Sequence, residues 1–459
     1  MSKDPNAFEP RNGWDVYAGA EHDAAIEALA DRYVTFLSTC KTERETINWT
    51  AEQLRQAGYT ENTGEDKIFF VCRGKALFAA RRGRKPLAEG LRLIAAHADA
   101  PRLDFKQRPL LEQAAVGQAK THYYGGIRKY QWLARPLALH GVVVRQDGSL
   151  VRISLGEEPG EPVFTIADLL PHLAQKEMSK TVAEAFEAEK LNIIVGHRPL
   201  IGEGEEEKPD SPIRRRILAL LKEKYDISEE DLMSAEIQAV PAGPARAVGF
   251  DGALIGGYGQ DDRICLFTAL EALLGAKQPE YTSAVIFWDK EEIGSEGSTG
   301  AQSHFLEDSI RDLRDAWEAG TRFRTIMTRT KALSADVHGA IDPDWQELHE
   351  KQNAALIGYG PCFCKFTGSR GKYGSNDAHP EYIGWLRGVI NERNIPWQMA
   401  ELGKVDMGGG GTVALYLAAY GMDVIDCGVA LLGMHSPFEL SSKVDVYAAV
   451  QLYTAFFEN

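Results

Sequence analysis

Two hydrophobic periods run through this chain. Apolar side chains at Ile26, Leu29, Tyr33 and Leu37 recur with the spacing of one helix face and predict a helix over residues 20–38. A second helix is expected over 42–57, opened by Thr42 and Glu45 in capping-box spacing, with Leu54 on its apolar side. Nearly unbroken apolar runs at 68–72, 76–80 and 91–96 then predict strands. Runs without polar alternation suit strands covered on both faces, as in a sheet packed between helices.

The pattern changes over residues 105–240. Val142, Val143 and Val144 face a second run at 151–155 across Gln146-Asp147-Gly148, the signature of an antiparallel hairpin. Residues 203–210 are acidic and turn-rich and read as a solvated loop. Residues 213–225 form an amphipathic helix pattern, and Ser228 with Asp231 has the spacing of a capping box for a further helix. This block reads as a β-rich insertion.

The earlier pattern resumes near Gly249. Strands are expected at 250–255, 285–288, 326–337, 360–366 and 424–429, with helices opened by Asp261-Asp262-Arg263 and, after Gly408–Gly411 and Thr412, over 413–420. A helix over 445–457 closes the chain. Strands alternating with helices predict an α/β fold with a mixed, mostly parallel sheet flanked by helices. The domain limits expected are 1–104 and 241–459 for the two parts of a catalytic domain, and 105–240 for the insertion.

Composition narrows the class. With 459 residues, 44% of them hydrophobic and 25% charged, the chain exceeds one comfortable core and has a globular balance. Its formal net charge of -15 and the lack of a long basic stripe argue against nucleic-acid binding, which needs clustered Lys and Arg. No apolar run approaches the ~18 residues of a membrane span, and the first residues carry no signal-peptide pattern. Cys40, Cys72, Cys265, Cys362, Cys364 and Cys427 lack paired metal-binding spacing and read as reduced core thiols, so a cytoplasmic location is expected.

The candidate chemistry gathers where apolar runs stop. Working groups of open α/β sheets collect at the carboxyl ends of strands. Here those ends carry His97, Glu291 and Glu292, Asp336 and His435, while Asp261 opens a helix, where an aspartate also serves as an N-cap. Asp99, two residues after His97, is placed to orient an imidazole for metal binding. Two histidines and four carboxylates suit two divalent ions of the zinc, cobalt or manganese type, typically ~3.5–4 Å apart in such hydrolase centres. One carboxylate would bridge them, and another would act as general base. No HExxH or GxSxG signature is present.

Six motifs carry a resemblance: HADAP (97–101), GQDDR (259–263), DKEEIGSEGSTGA (289–301), SADV (334–337), GKYGSNDA (371–378), and GGTVALYLA with MHSPFE (434–439). In this order, over nearly the whole chain, they resemble the aspartyl aminopeptidase / vacuolar aminopeptidase I family of metallopeptidases. The resemblance implies a zinc-exopeptidase-like fold and a cytoplasmic aminopeptidase that removes N-terminal residues from peptides by water activated at two zinc ions. It implies Asp261 as the bridging ligand, His97 and Asp336 on one ion, and Glu292 and His435 on the other. Glu291 would be the catalytic base, Asp99 the residue orienting His97, and Lys365 and Tyr373 would face the substrate. The 105–240 block is similar to the family's dimerisation domain, which implies homo-oligomers, dimers assembling into a tetrahedral dodecamer. His122 or His140 would complete a neighbouring subunit's site. The family preference for acidic N-termini is set against departures here: QDD at the bridging position, HSPFE without an arginine, and VHGAIDP after Asp336. A preference for neutral residues such as Leu, a related dinuclear amidase or deacylase, and an assembly protein with a decayed site are the alternatives.

Overall fold

The computed structural model describes residues 7–200 and 210–459. The acidic stretch at 203–210 lies outside the described residues apart from Asp210. Two compact units emerge. One takes the chain up to Asp99 together with Ala245–Met434 and Glu439–Asn459; the other is Ala100–Pro244 with His435–Phe438.

The first unit opens with helices α1 (Ala20–Thr39) and α2 (Glu43–Gln56). Thr42 caps α2 reciprocally: its hydroxyl accepts the N–H of Glu45 at 3.2 Å, and the Glu45 carboxylate accepts the N–H of Thr42 at 3.0 Å. Eight strands form the main sheet: β1 (Lys67–Cys72), β2 (Ala76–Arg81), β3 (Leu91–His97), β4 (Thr282–Trp288), β5 (Lys331–Ser334), β6 (Cys362–Cys364), β7 (Gln398–Met399) and β8 (Asp423–Gly428). Their order is β1-β2-β4-β3-β5-β8-β6-β7. The pairs β4–β3, β3–β5, β5–β8 and β6–β7 run parallel, while β1–β2, β2–β4 and β8–β6 run antiparallel. The sheet is mixed, with a parallel centre.

Helices α3 (Gln260–Gly275), α4 (Phe305–Trp317), α5 (Pro380–Glu392) and α6 (Lys443–Glu458) cover it. One core joins Phe36, Leu54, Phe267, Leu386 and Phe456 to Ile94, Val285, Leu333 and Ile425. The other joins Leu306, Ile310 and Leu313 of α4 to Leu93, Ala95, Ile286 and Trp288. Successive side chains of β3 and β4 therefore enter opposite cores, so both strands read as unbroken apolar runs.

Three local expectations change. Of the strand expected at 326–337, only Lys331–Ser334 is extended; Phe323–Arg329 is a helix that buries Ile326 and Met327 together. A short apolar run does not separate a buried helical turn from a strand. The strand expected at 250–255 begins at Leu254, because Gly249 (φ 93°) and Gly252 (φ 64°) turn the chain into a hairpin with Arg246–Val248. Ser228 and Asp231 exchange bonds like a capping box, the Ser228 N–H reaching Asp231 Oδ2 at 2.8 Å, but lead only into a 3-10 turn, Glu230–Ser234.

In the second unit six strands form one antiparallel sheet, in the order Leu150–Leu155, Leu137–Val144, Ala235–Pro241, Arg102–Gln113, Val116–Tyr124 and Ile193–Gly196. The Asp147-Gly148 turn joins the first two, with Val143 opposite Val151. Helix Pro212–Tyr225 accompanies the sheet. Among the described residues no helix is long and apolar enough to cross a membrane.

Candidate metal centre

Three neighbouring parallel strand ends supply most of the candidate groups. His97 ends β3 and is in register with Trp288 at the end of β4, while Ala95 is in register with Ser334 at the end of β5. Just past those ends come Glu291 and Glu292, and Asp336. Asp261 and Asp262 arrive at the start of α3 with non-helical backbone (φ -77°, ψ 109° and φ -113°, ψ 24°), joined by a cis peptide bond. Gly259 occupies the cap position, so neither aspartate serves as N-cap.

The side chains converge. His97 Nε2 lies 3.3 Å from Asp261 Oδ1, 3.9 Å from Asp336 Oδ1 and 4.0 Å from Glu291 Oε2. Ligand atoms of His97, Asp261 and Glu292 lie within 4.8 Å of one another, as do those of His97, Glu291 and Asp336, and those of Asp261, Asp262 and Asp336. Asp99 is fully buried behind them. Its carbonyl oxygen is 3.0 Å and its Oδ1 3.2 Å from His97 Nδ1, while its two carboxylate oxygens accept the N–H groups of Glu291 and Glu292, each at 3.2 Å. One carboxylate thus ties the histidine to the diglutamate turn.

Burial pushes the Asp336 carboxyl well above the usual carboxylate range, and the nearby Asp262 charge adds to it. Asp262 is raised by burial and by Asp261, against the opposing pull of His97. Burial alone would lower His97, but hydrogen bonding to Asp261 and Asp99 outweighs it and holds the imidazole well above its ordinary value. The cluster demands positive charge at this point. Imidazole nitrogen and carboxylate oxygen form a donor set that zinc accepts, and Asp262 Oδ1 is buried without a hydrogen-bond partner. The residues fit a divalent ion, which would replace the proton on His97.

Other residues singled out from the sequence are not among the ligand groups formed by the described residues. His435 belongs to the second unit, its Nδ1 2.9 Å from the carbonyl oxygen of Gly126. Lys365 follows β6, and its carbonyl accepts the N–H of Ala378 at 2.8 Å. Tyr373 is 77% exposed. In the second unit, His140 is buried with Nε2 3.0 Å from Glu157 Oε1, whereas His122 is exposed. Two contributors escaped sequence reasoning. Asp262, next to Asp261, brings its carboxylate into the cluster, and Glu439, buried beside Gly257 in a small sheet, accepts the N–H groups of Gln260 at 2.6 Å and Asp261 at 3.3 Å through Oε2. Only its place in MHSPFE, quoted for its histidine, signalled it.

A parallel-centred α/β sheet with imidazole and carboxylates gathered at its strand ends defines a metal-dependent hydrolase. The family model described as aminopeptidase I zinc metalloprotease (M18) matches residues 36–457. A protein named probable M18 family aminopeptidase 1, from Clostridium acetobutylicum, is 46% identical over 98% of this chain and 98% of its own. The crystal structure of an M18 family aminopeptidase from Thermotoga maritima superposes with a TM-score of 0.92 at 44% identity, covering 98% of this chain and 100% of that one. An S. cerevisiae mApe1 dodecamer shares the fold at TM-score 0.76 and 19% identity, over 96% of this chain and 98% of that one. The chain belongs to the M18 family and is a zinc-dependent aminopeptidase.

Proposed function

We propose that this aminopeptidase works through two zinc ions held by the residues gathered at the strand ends. Asp261 would be shared by both ions, His97 and Asp336 would hold one, and Glu292 and, by its motif, His435 would hold the other. The convergence of His97, Asp261, Glu292 and Asp336 ligand atoms carries this reading; the motif at 434–439 supports His435. Zinc bound there supplies Lewis acidity to the scissile carbonyl and lowers the pKa of the attacking water.

Glu291 is the general base. Its side chain is 17% exposed, open enough to meet water, with Oε2 4.0 Å from His97 Nε2. It takes a proton from the attacking water and returns it to the leaving amine. Asp99 holds His97 by Nδ1 and the Glu291–Glu292 turn by its backbone. Glu291→Ala is expected to lower kcat by at least about a hundredfold, within the range general bases contribute, with bound zinc unchanged. Near-parental hydrolysis of aminoacyl anilides by that variant would remove the assignment.

Lys365 and Tyr373 face the substrate in this reading, and the peptide's N-terminal residue is acidic; relative kcat/KM on Asp, Glu, Leu and Lys anilides tests the preference. The second unit serves homo-oligomer formation, with dimers assembling into a tetrahedral dodecamer, and its exposed His122 is better placed than buried His140 to reach a neighbouring subunit. Six free cysteines, five of them buried, support a cytoplasmic setting.

A further inference from the structure

The turn that presents Glu291 and Glu292 is held by a residue with no assigned part in the reaction. After β4 the chain must reverse so that two successive N–H groups meet the Asp99 carboxylate. Lys290 makes that reversal at φ 69°, ψ 16°, in the left-handed region. Its carbonyl accepts the N–H groups of Ser295 at 2.7 Å and Ile293 at 3.3 Å. Glycine would adopt this backbone with less strain. What lysine adds is its ammonium group.

That group is not solvated freely. Lys290 Nζ lies 2.6 Å from Asp289 Oδ2 and 2.7 Å from Thr299 Oγ1, and Thr299 Oγ1 donates to the same Asp289 oxygen at 2.8 Å. Asp289 and Thr299 are each 1% exposed, and the Asp289 N–H also bonds the Thr299 carbonyl at 3.1 Å. Lys75 stands 4.0 Å from Asp289 Oδ2 and 2.9 Å from Glu43 Oε1, extending the network to the first residue of α2. A charge-assisted triangle with two buried corners is stiff, because each partner would lose its counter-group on leaving. An exposed lysine paired only with water would impose no such constraint.

We propose that Lys290 is a positioning residue for peptide hydrolysis: its Nζ, clamped between Asp289 and Thr299, fixes the turn that aims Glu291 at the reacting water. The proposal rests on Glu291 being the base. Lys290 Nζ is engaged by Asp289 and Thr299, and it acts through the backbone it holds. Small displacements of a catalytic group cost large factors in rate, so loss of the clamp registers in kcat.

The zinc-loaded full-length enzyme provides the kinetic test, and amide hydrogen exchange on the metal-free protein provides a readout independent of turnover. Lys290→Met and Thr299→Val should each lower kcat about tenfold, with KM within twofold of the parent and zinc content unchanged. The double variant should fall no further than either single one, because both break the same triangle. Thr299→Ser, which keeps the hydroxyl, should retain the parental kcat. In both Lys290→Met and Thr299→Val, exchange over residues 289–300 should accelerate about tenfold while the rest of the sheet exchanges as before. Parental kcat or parental exchange in Lys290→Met, zinc lost in step with activity, or multiplicative loss in the double variant would each overturn the proposal. If Lys290→Met does not fold, the contrast between Thr299→Val and Thr299→Ser decides alone. Glu291→Gln separates the two readings: turnover surviving there removes the base, whereas a dead Glu291→Gln beside fully active clamp variants removes only the clamp.

Discussion

Asp99 shows how much one buried carboxylate can organise. Both of its oxygens are committed to the diglutamate turn, and it also meets His97 Nδ1. Asparagine has one acceptor oxygen, so Asp99→Asn leaves one of the two N–H groups facing an amide and weakens the hold on the imidazole. Zinc affinity is expected to fall about tenfold to a hundredfold, the usual range for partners of metal-binding histidines, and competition with a chelator measures it. That His97, Asp99, Glu291 and Asp336 lie close together in space is legible in the sequence, because each ends an apolar run or lies within three residues of its end, and strand ends are where an α/β sheet places its chemistry. Glu439 and Lys290 are not. Their roles arise from what lies across space: the N–H groups of Gln260 and Asp261 for one, the Asp289–Thr299 pair for the other.

Among the elements, α6 carries a buried group with a measurable signature. Asp445 in its first turn is fully buried, accepting the N–H groups of Gly358 at 2.6 Å and Gly360 at 2.7 Å. Burial pushes its carboxyl from 3.8 up to about 7, against those two hydrogen bonds. A carboxyl raised on folding gives a stability contribution present in full below the unfolded value and lost as pH rises through the folded one. Asp445→Asn should therefore remove a decline in stability between about pH 4 and pH 7, seen as a flatter urea-midpoint profile than the parent's. The helix pattern at α1, the Thr42 capping box and the apolar runs of β3 and β4 were readable because each rests on local chemistry or on burial from both sides. The segment Phe323–Arg329 was not, since burial of Ile326 and Met327 leaves the same trace in a helix as in a strand.

For the molecule as a whole, a metal bound at this cluster would be a fold ligand as well as a cofactor. Asp261, Asp262 and Asp336 bring carboxylate oxygens within 4.8 Å of one another, a concentration of like charge that a cation relieves. Chelation is expected to lower the thermal unfolding midpoint, and added zinc to restore it progressively, amounting to about 2.7 kcal/mol at a free concentration a hundred times Kd. An unfolding midpoint that ignores zinc would count against an ion at this site. The α/β class and the interruption by a β-rich unit could be read from the periodicity, but the order of strands could not: β4 separates β2 from β3 although 200 residues divide it from the first and 184 from the second.

That strand order has a consequence during synthesis. The proposed ligands in the first unit are spread from His97 to Asp336 and meet only when β3 is flanked by β4 and β5. A growing chain therefore lacks these first-unit groups until about its last quarter is being made, and a truncated product ending before β5 would lack Asp336.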